Sequence, residues 1–424
     1  MDLLAMNPQP KAAVLMLSAT AREARVMRQV MALHGRFAVT VLGMGRNPFA
    51  DLPDVQFIEL STDVRSLPGK LLRRAALYAT VFGAVLPSAD LWRHSRRRCW
   101  QQALAWLLEN RMDVLIAHEP ETAALAARVK AKHGTRIILD LHEYAPRESD
   151  NNLQFRLIKG PTAVRTLKRW GRQADAALTV NEDFCDLYVE SCGILRPVAL
   201  HNAPTRLPEP RPEKINDGRI HLIHHGVCSP ARALHLSVAA LRETNERIVL
   251  HFMFAGANQE YLAHLQSLAA QMPGRVIFEE PVDYRDILPA IAKYHAGLYF
   301  IPNNTFNHRH ALANKFFDFL CAGLPVITGP NEATGRLTRE NGFGWVTEDH
   351  SAPALARLLN SLTPEALAAA AVKADDFAHR VNADTEHRRL IDLIQRLLGA
   401  EVPPTGGIAN PGLHVSVSCP DASV

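Results

Sequence analysis

The sequence predicts an α/β protein made of two Rossmann-like domains, each a parallel β-sheet covered by helices. Its 424 residues are more than one hydrophobic core usually serves. Short apolar runs recur along the chain, and each is followed by a longer segment with helical spacing, which is typical of βαβ units. A proline-rich stretch near the middle divides these runs into two series, so two domains joined by a linker are the simplest arrangement.

The first series of apolar runs predicts the strands of an N-terminal domain, residues 1–203. These runs are residues 12–17, 37–42, 55–60, 114–117, 137–139 and 176–180. A linker at residues 204–217 precedes a C-terminal domain at residues 218–376. The predicted strands of this second domain are residues 220–223, 248–255, 276–278, 297–301 and 325–328.

The last strong helical pattern covers residues 385–398 and places its apolar side chains at helical spacing. We therefore expect the region 377–399 to cross back and to pack on the N-terminal domain. After this helix the sequence is rich in turn formers and then polar, which predicts a disordered tail at residues 400–424.

The composition is that of a soluble globular protein, with 47% apolar and 21% charged residues and no apolar run long enough to span a bilayer. The first residues lack the order of a secretory signal, so we expect a cytoplasmic protein. Six cysteines without a C-x-x-C pair argue against a disulfide framework or a zinc site. A net charge of +4 is too balanced to indicate a nucleic-acid partner.

Basic residues are concentrated between positions 64 and 111, where nine of them stand against two acidic residues. Together with nearby tryptophans they are typical of a peripheral surface that binds anionic lipid. A solvated amphipathic helix pair that covers the first sheet explains the pattern equally well. The residues assigned to this possible membrane surface are Lys70, Arg73, Arg74, Arg93, Arg96, Arg97 and Arg98.

Polar side chains follow several predicted strands, at the edge where parallel sheets bind ligands. His118 follows the fourth run, His142 follows the fifth, and Asn202 comes just before the linker. These residues are candidates for a cleft. By itself, His118 could equally be a residue that caps backbone groups at a strand end.

The loop after the first strand of the second domain contains Gly226 and Arg232 and leads into a helical pattern. Backbone amides at a helix start favour an anion, and an arginine adds a forked donor for phosphate, so a diphosphate is a reasonable ligand. An ordinary strand-to-helix turn with a solvated arginine is the alternative.

A helix predicted at residues 311–322 would place Asn314, Lys315 and Asp318 within one turn. Lysine suits a phosphate, and a carboxylate can accept hydrogen bonds from ribose hydroxyls. Gly323 is expected to end this helix. The alternative is an exposed Lys–Asp ion pair that contributes only ~0.3 kcal/mol.

The segment ALANKFFDFLCAGLPVI resembles the P-N-K-x-x-E-Y-x-x-x-G-x-P-V-I signature of family 4 of the retaining, nucleotide-sugar-dependent glycosyltransferases. Further segments resemble that family in the expected order, from about residue 12 to residue 398. They are AREARVMRQV, FAVTVLG, DVLIAHEP, IILDLHEY, AALTVNE, VALHNAP, HHGVCSPARAL and FMFAGAN. The resemblance implies the GT-B fold, in which two Rossmann-like domains face each other across a cleft.

The resemblance also implies roles for individual residues. His118 would lie beside the donor sugar, Arg232 and Lys315 would hold the diphosphate together with Gly226, and Asp318 would bind the ribose near Asn314. It implies a retaining transfer from a nucleotide diphosphate sugar to a saccharide or lipid-linked acceptor, without a metal or other cofactor and without a protein nucleophile. Cell-surface polysaccharide synthesis is the process expected for such an enzyme.

The sequence also departs from the family pattern. The usual E-x7-E pair is replaced by His310 and Asp318, and the lysine that often follows the phosphate-loop arginine has no clear counterpart. His142, Asn202 and His310 are assigned to the donor-sugar or acceptor cleft. A sugar-nucleotide 2-epimerase and a catalytically silent binding protein of the same architecture remain alternatives.

Overall fold

The computed structural model describes residues 9–61, 95 and 97–399, and it contains two parallel β-sheets. The first sheet has the strand order β3-β2-β1-β4-β5-β6-β7. Its strands are β1 Lys11–Ala19, β2 Ala38–Met44, β3 Val55–Leu60, β4 Val114–His118, β5 Arg136–Leu141, β6 Ala176–Thr179 and β7 Val198–Ala199. The helices of this half are α1 Ala24–Leu33, α2 Arg98–Glu109, α3 Ala123–His133, α4 Gly160–Arg169 and α5 Glu182–Cys192.

The second sheet has the strand order β10-β9-β8-β11-β12-β13. Its strands are β8 Ile220–Cys228, β9 Ile248–Ala257, β10 Val276–Glu279, β11 Ala296–Tyr299, β12 Val326–Thr328 and β13 Gly344–Val346. The helices are α6 His235–Leu241, α7 Gln259–Ala269, α8 Ile287–Ala292, α9 Phe306–His310, α10 Asn314–Cys321, α11 Glu332–Asn341, α12 Ala352–Ser361, α13 Pro364–Arg380 and α14 Ala383–Leu397. The prediction of two parallel-sheet domains is confirmed, and every predicted strand overlaps an observed one.

Both sheets have a point where the strand order reverses. In the first sheet β1 pairs with both β2 and β4, and in the second β8 pairs with both β9 and β11. At such a point, the loops that follow two neighbouring strands run to opposite faces of the sheet and leave a crevice between them. Open α/β sheets bind ligands in this crevice. The topology therefore predicts a site at the ends of β1, β4, β8 and β11.

Helix α14 packs back on the N-terminal sheet, as predicted. It begins with a capping box between Asn382 and Thr385. Its apolar face joins α1 in a core on one face of the first sheet, where Leu390 and Ile394 pack in the same cluster as Val30. Helices α2 to α5 cover the opposite face.

The predicted helix at residues 311–322 is wrong at its start. Ala311 and Ala313 have extended backbones, so α9 ends at His310 and α10 begins at Asn314. Asn314 and Lys315 consequently lie in the first turn of α10 rather than within a longer helix. Gly323 has a φ of +74° directly after the helix, in the left-handed conformation that ends helices.

Much of the predicted basic surface, including Lys70, Arg73, Arg74, Arg93 and Arg96, lies outside the described residues, as does the predicted tail at 400–424. Arg97 precedes α2 and donates to the carbonyl of Leu17 at 3.1 Å. Arg98 is exposed at the first position of α2. Trp100 is buried in the core that α2 forms with the sheet, so this tryptophan cannot lie in a lipid interface.

The linker region 204–217 contains no helix or strand, and all of its residues are among those described. No helix within the described ranges is long and apolar enough to cross a bilayer.

Candidate functional site

The end of β8 brings three predicted residues together. Gly226 has a φ of +116°, and a Cβ atom placed there would lie 2.9 Å from Lys315 Nζ and 4.0 Å from Arg232 Nη1. The glycine therefore has two roles, since it adopts a backbone conformation that other residues avoid and it leaves room for two cations beside the main chain. Gly226, Arg232 and Lys315 form what we call the cation pocket.

Lys315 is the unusual member of the cation pocket. Its side chain is only 6% exposed, and Nζ has no hydrogen-bond partner among the described residues. Burial lowers the pKa of Lys315 well below its usual value, and the charge of Arg232 acts in the same direction. Buried amino groups normally have a partner, and none of the described residues supplies one to Lys315, so its Nζ is a donor left for a ligand.

Two histidines of β8 line the same region. His224 Nδ1 donates to the carbonyl oxygen of Leu298 at 2.9 Å, while its Nε2 has no partner among the described residues. Burial lowers the pKa of His225 to about 3, and Lys315 and Arg232 contribute in the same direction. Burial also lowers the pKa of His224. Both rings are therefore neutral near pH 7. The groups of the pocket that can carry positive charge are Arg232 and, once a bound anion favours its charged form, Lys315.

Asp318 lies one turn after Lys315 and is only 4% exposed. Burial raises its pKa to about 7, although the charges of Arg28 and Lys315 oppose that rise. His225 Nε2 lies 3.5 Å from Asp318 Oδ2. Lys315 and Asp318 are thus not the exposed ion pair of the alternative interpretation, because both are buried.

Arg28, on helix α1 of the N-terminal domain, is not one of the site residues predicted from the sequence. Its Nη1 donates to the carbonyl of Asn202 at 3.0 Å, and its Nη2 donates to the hydroxyl of Tyr284 in the C-terminal domain. Asn202 in turn donates its amide to the side chain of Asn314. We call these contacts the Arg28 bridge. They connect helix α1 of the N-terminal domain with the first turn of α10.

A second cluster lies at the ends of β4 and β5. His118 is fully buried, and its Nδ1 lies 2.8 Å from His142 Nε2 and 3.5 Å from Asp140 Oδ2. Neither ring nitrogen bonds to the backbone of a described residue, which contradicts the capping interpretation. The next residue, Glu119, has a φ of +70°, a strained conformation that is frequent at functional sites.

The histidines of this second cluster are neutral. Burial lowers the pKa of His118 to about 3, against the opposing charge of Asp140. Burial likewise lowers the pKa of His142 to about 4. His118 Nε2 has no partner among the described residues, so one polar atom of the ring is left for a ligand. A neutral imidazole can hydrogen-bond to a sugar hydroxyl but adds no charge there.

Asp140 is held by Arg25 from helix α1. Arg25 Nε and Nη2 each donate to the carboxylate at 2.8 Å, and Nη1 donates to the carbonyl of Leu200 at 2.7 Å. Burial alone would raise the pKa of Asp140, but Arg25, His118 and His142 outweigh it and hold that pKa below its usual range. The Asp140 carboxylate is therefore ionised, and the guanidinium of Arg25 balances its negative charge.

His118, Asp140 and His142 could be considered as metal ligands, because one ligand atom from each lies within 4.8 Å of the others. The fit is poor, because Arg25 and Gln29 already bond to the Asp140 carboxylate. A divalent ion would have to displace these contacts and sit beside the guanidinium charge.

The structure places His310 in a contact between the domains. Its Nδ1 lies 3.2 Å from Asp183 Oδ2, and its Nε2 lies 3.4 Å from Glu332 Oε2. The ring also packs on Phe306, with centroids 4.4 Å apart. Both ring nitrogens therefore have acidic neighbours, and the partner Asp183 is 127 positions away in the sequence.

No protein-family model matches the sequence, and no curated protein sequence matches it. Solved structures do match. The Anabaena protein Alr3699/HepE in complex with UDP is 13% identical, with a TM-score of 0.65, and the match covers 91% of this chain and all of that one. The same protein has also been solved in complex with UDP-glucose.

Two further solved structures support the same fold. A glycosyltransferase from Rickettsia africae is 11% identical, with a TM-score of 0.64, and the match covers 92% of this chain and 100% of that chain. WaaG, described as a glycosyltransferase involved in lipopolysaccharide biosynthesis, is 15% identical, with a TM-score of 0.61 and coverages of 93% and 100%. Together with the two parallel-sheet domains, these similarities show that the chain has the GT-B fold.

Proposed function

We propose that this protein is a glycosyltransferase that uses a nucleotide diphosphate sugar as its donor. The observation that carries the proposal is the buried amino group of Lys315, which has no hydrogen-bond partner among the described residues and lies beside Arg232 and Gly226. The complexes of HepE with UDP and UDP-glucose support a donor of this class on the same fold.

In the proposed complex, Lys315 and Arg232 hold the diphosphate, and Asp318 binds the ribose with Asn314 beside it. The transfer retains the configuration of the sugar, as in family 4. A bond forms between the acceptor oxygen and the anomeric carbon while the bond from that carbon to the phosphate oxygen breaks, and the acceptor proton passes to the departing diphosphate.

This chemistry requires the enzyme to stabilise the negative charge that develops on the leaving group. Two preorganised cations in a buried pocket suit that task, because electrostatic stabilisation is stronger where water is excluded. His118 is proposed to lie beside the donor sugar and to orient it through a neutral imidazole, with His142 behind it. The proposed reaction needs no metal and no protein nucleophile.

The proposed acceptor is a saccharide or a lipid-linked saccharide, and the proposed process is cell-surface polysaccharide synthesis on the inner face of the membrane. The similarity in fold to WaaG, named for lipopolysaccharide biosynthesis, supports this process. His142, Asn202 and His310 remain proposed residues of the donor-sugar or acceptor cleft, although His310 in this structure has acidic partners on both ring nitrogens.

A thermal-shift screen of UDP, GDP and their sugars tests the proposal, because at equal concentration a ligand that binds the folded protein more tightly raises the melting temperature more. We expect Lys315→Ala and Arg232→Ala to weaken nucleotide binding by roughly tenfold or more, as loss of a charged contact implies. His118→Ala should mainly slow turnover. Lys293→Ala, a lysine that lies over Tyr294 in the same domain, is the control. Unchanged binding in both pocket variants would remove the phosphate assignment.

A 2-epimerase remains the second candidate, because Glu143 accepts a hydrogen bond from Asn307 Nδ2 at 2.8 Å across the two domains and could act as an acid or base. Asp140, the other acidic candidate, is bound to Arg25 and is not free for that role. Incubation with UDP-N-acetylglucosamine alone separates the two: an epimerised product without acceptor would exclude the transferase. Slow donor hydrolysis would count against a silent binding protein.

A further inference from the structure

Arg28 holds together segments that are far apart in the sequence. Its Nη1 donates to the main-chain carbonyl of Asn202 at 3.0 Å and also to the side-chain oxygen of that residue. Its Nη2 donates to the hydroxyl of Tyr284, which lies between β10 and α8 of the second sheet. A guanidinium can fix two partners at once because its donors form a rigid planar fork. Arg28 therefore ties the end of the N-terminal domain to a loop of the C-terminal domain.

The start of helix α10 depends on this connection. Asn202 donates its side-chain amide to the side-chain oxygen of Asn314, the first residue of α10. The N-cap residue of that helix is Ala313, which makes no side-chain hydrogen bond to the helix. Serine, threonine, asparagine or aspartate usually fixes a helix start from the N-cap position, and alanine cannot. The amide of Asn202 instead supplies a contact from the other domain, one residue later.

Helix α10 carries two of the residues proposed to bind the donor. Lys315 follows Asn314 directly, and Asp318 lies in the next turn. An ionised carboxylate acts only as an acceptor and can accept hydrogen bonds from two hydroxyls of a ribose. Burial raises the pKa of Asp318 to about 7, and the charges of Arg28 and Lys315 oppose that rise. Arg28 thus favours the ionised form of Asp318.

The charge of Arg28 is not balanced within its own contacts. Each of its hydrogen-bond partners among the described residues is a carbonyl, an amide oxygen or a hydroxyl. Burial raises the pKa of Tyr284, so that hydroxyl is neutral near pH 7. Arg25, on the same helix, bonds to the carboxylate of Asp140 instead. The two arginines therefore differ, and the charge of Arg28 remains free to act on Asp318.

We propose that Arg28 is a positioning residue for nucleotide binding, which acts from the N-terminal domain through Asn202 and Tyr284. It holds the first turn of α10 so that Lys315 meets the diphosphate while Asp318 accepts hydrogen bonds from the ribose. A nucleoside diphosphate consequently binds tightly only when helix α1 lies against the C-terminal domain. The inference rests on the proposed function, because it assigns the residue that positions its donor site.

Calorimetric titration of the full chain with UDP and with GDP tests the inference. Arg28→Met removes the charge and the contacts, and Arg28→Lys keeps the charge but cannot bridge two partners in one plane. Arg36→Met, which removes an exposed arginine just after α1, is the control. We expect Arg28→Met to raise the Kd of the nucleotide that binds by about tenfold, Arg28→Lys to raise it less, and the control to leave it unchanged.

The pH dependence separates positioning from a general loss of structure. In the wild type the affinity should rise as Asp318 ionises near pH 7. Arg28→Met should move this rise to higher pH, because one of the two charges that favour ionisation is lost, whereas Arg28→Lys should leave it nearly in place. The ligand phosphates ionise alike in every titration, so the difference between variants reports the protein. An Arg28→Met Kd equal to that of the wild type, or raised equally at every pH, would overturn the inference.

A measurement on the free protein distinguishes this failure from failure of the proposed function. At about pH 8, Asp318→Asn should raise the melting temperature more in the Arg28→Met background than in the wild type, because Arg28 no longer offsets the buried charge. Equal rises in both backgrounds would overturn the role of Arg28 whether or not a nucleotide binds. If the wild type binds neither UDP nor GDP, the proposed function fails and the nucleotide role of Arg28 fails with it. Nucleotide binding that is unchanged in Arg28→Met sinks only the inference.

Discussion

The buried contact between Arg25 and Asp140 allows a quantitative prediction of stability. Arg25 is 5% exposed and Asp140 is fully buried, and the guanidinium is the main cation facing that carboxylate. The substitution Arg25→Met keeps most of the side-chain volume but leaves a buried negative charge. Removal of one partner from a buried ion pair typically costs about 3–5 kcal/mol of unfolding free energy.

An exposed pair gives the matched control. Arg357 and Glu348 are 2.6 Å apart, but their side chains are 60% and 77% exposed. Arg357→Met should therefore cost less than about 1 kcal/mol, because solvent screens the pair. A comparison of the two variants separates the effect of burial from the effect of losing an arginine.

Urea unfolding followed by tryptophan fluorescence measures both values. Four of the five tryptophans precede the linker, and Trp345 is the exception. A Trp345→Phe background makes the signal report the domain that contains Arg25 and Asp140. If Arg25→Met lowers the free energy of unfolding by less than about 1 kcal/mol, as the control does, the argument from burial is refuted.

The same pair predicts a pH dependence. The pKa of Asp140 is lower in the folded protein than in the unfolded chain. Its contribution to stability is therefore complete above the unfolded pKa of about 3.9 and is lost as pH falls below it. In Arg25→Met the buried carboxyl should instead take up a proton at higher pH. The difference in unfolding free energy between the wild type and Arg25→Met should thus decrease as pH falls from about 7 towards 4.

Three further predictions concern the C-terminal domain. Gly226→Ala places a Cβ atom 2.9 Å from Lys315 Nζ at a φ of +116°, so nucleotide diphosphate affinity should fall by about tenfold or more while circular dichroism stays unchanged. Gly297→Ala brings a Cβ atom within 2.2 Å of the Phe319 ring, and overpacking should cost about 1–3 kcal/mol in urea unfolding; a neutral result would contradict the packing. The pKa of Asp318 is raised to about 7 by burial, so its ionisation costs stability as pH rises from its unfolded pKa towards 7. Asp318→Asn should accordingly raise the melting temperature of the free protein near pH 8 and change it little near pH 4, and an equal effect at both would argue against the raised pKa.

The strands could be predicted from the sequence because parallel strands buried on both faces leave continuous apolar runs. Strand β7 has only two residues, which is too short for such a run, and β13 begins with Gly344 and contains only two apolar residues. The start of α10 was mispredicted for a different reason. Ala311, Leu312 and Ala313 are good helix formers, but Ala311 and Ala313 have extended backbones where α9 meets α10, so tertiary context overrides propensity.

That Gly226, Arg232 and Lys315 lie close together could be expected because each lies in a local pattern of the chain. Gly226 lies near the end of β8, Arg232 in the turn that follows, and Lys315 in the first turn of α10. Arg25 and Arg28 could not be placed in the same way. Arg25 bonds to a carboxylate 115 positions away, and Arg28 bonds to Asn202, which is 174 positions away. Both arginines lie on a helix whose sequence pattern indicates only an amphipathic face. The pattern does not identify their partners, because these come close only in the folded protein.

The Arg28 bridge has a consequence for exchanging domains between proteins of this fold. Arg28 belongs to α1, yet it bonds to Tyr284 and, through Asn202, reaches Asn314 in the first turn of α10. A chimera cut at the linker would pair the cation pocket with a foreign α1 and would lose this arginine, which together with Lys315 opposes the rise in the pKa of Asp318. A hybrid intended to keep the first turn of α10 in this arrangement should therefore carry α1 along with the C-terminal domain.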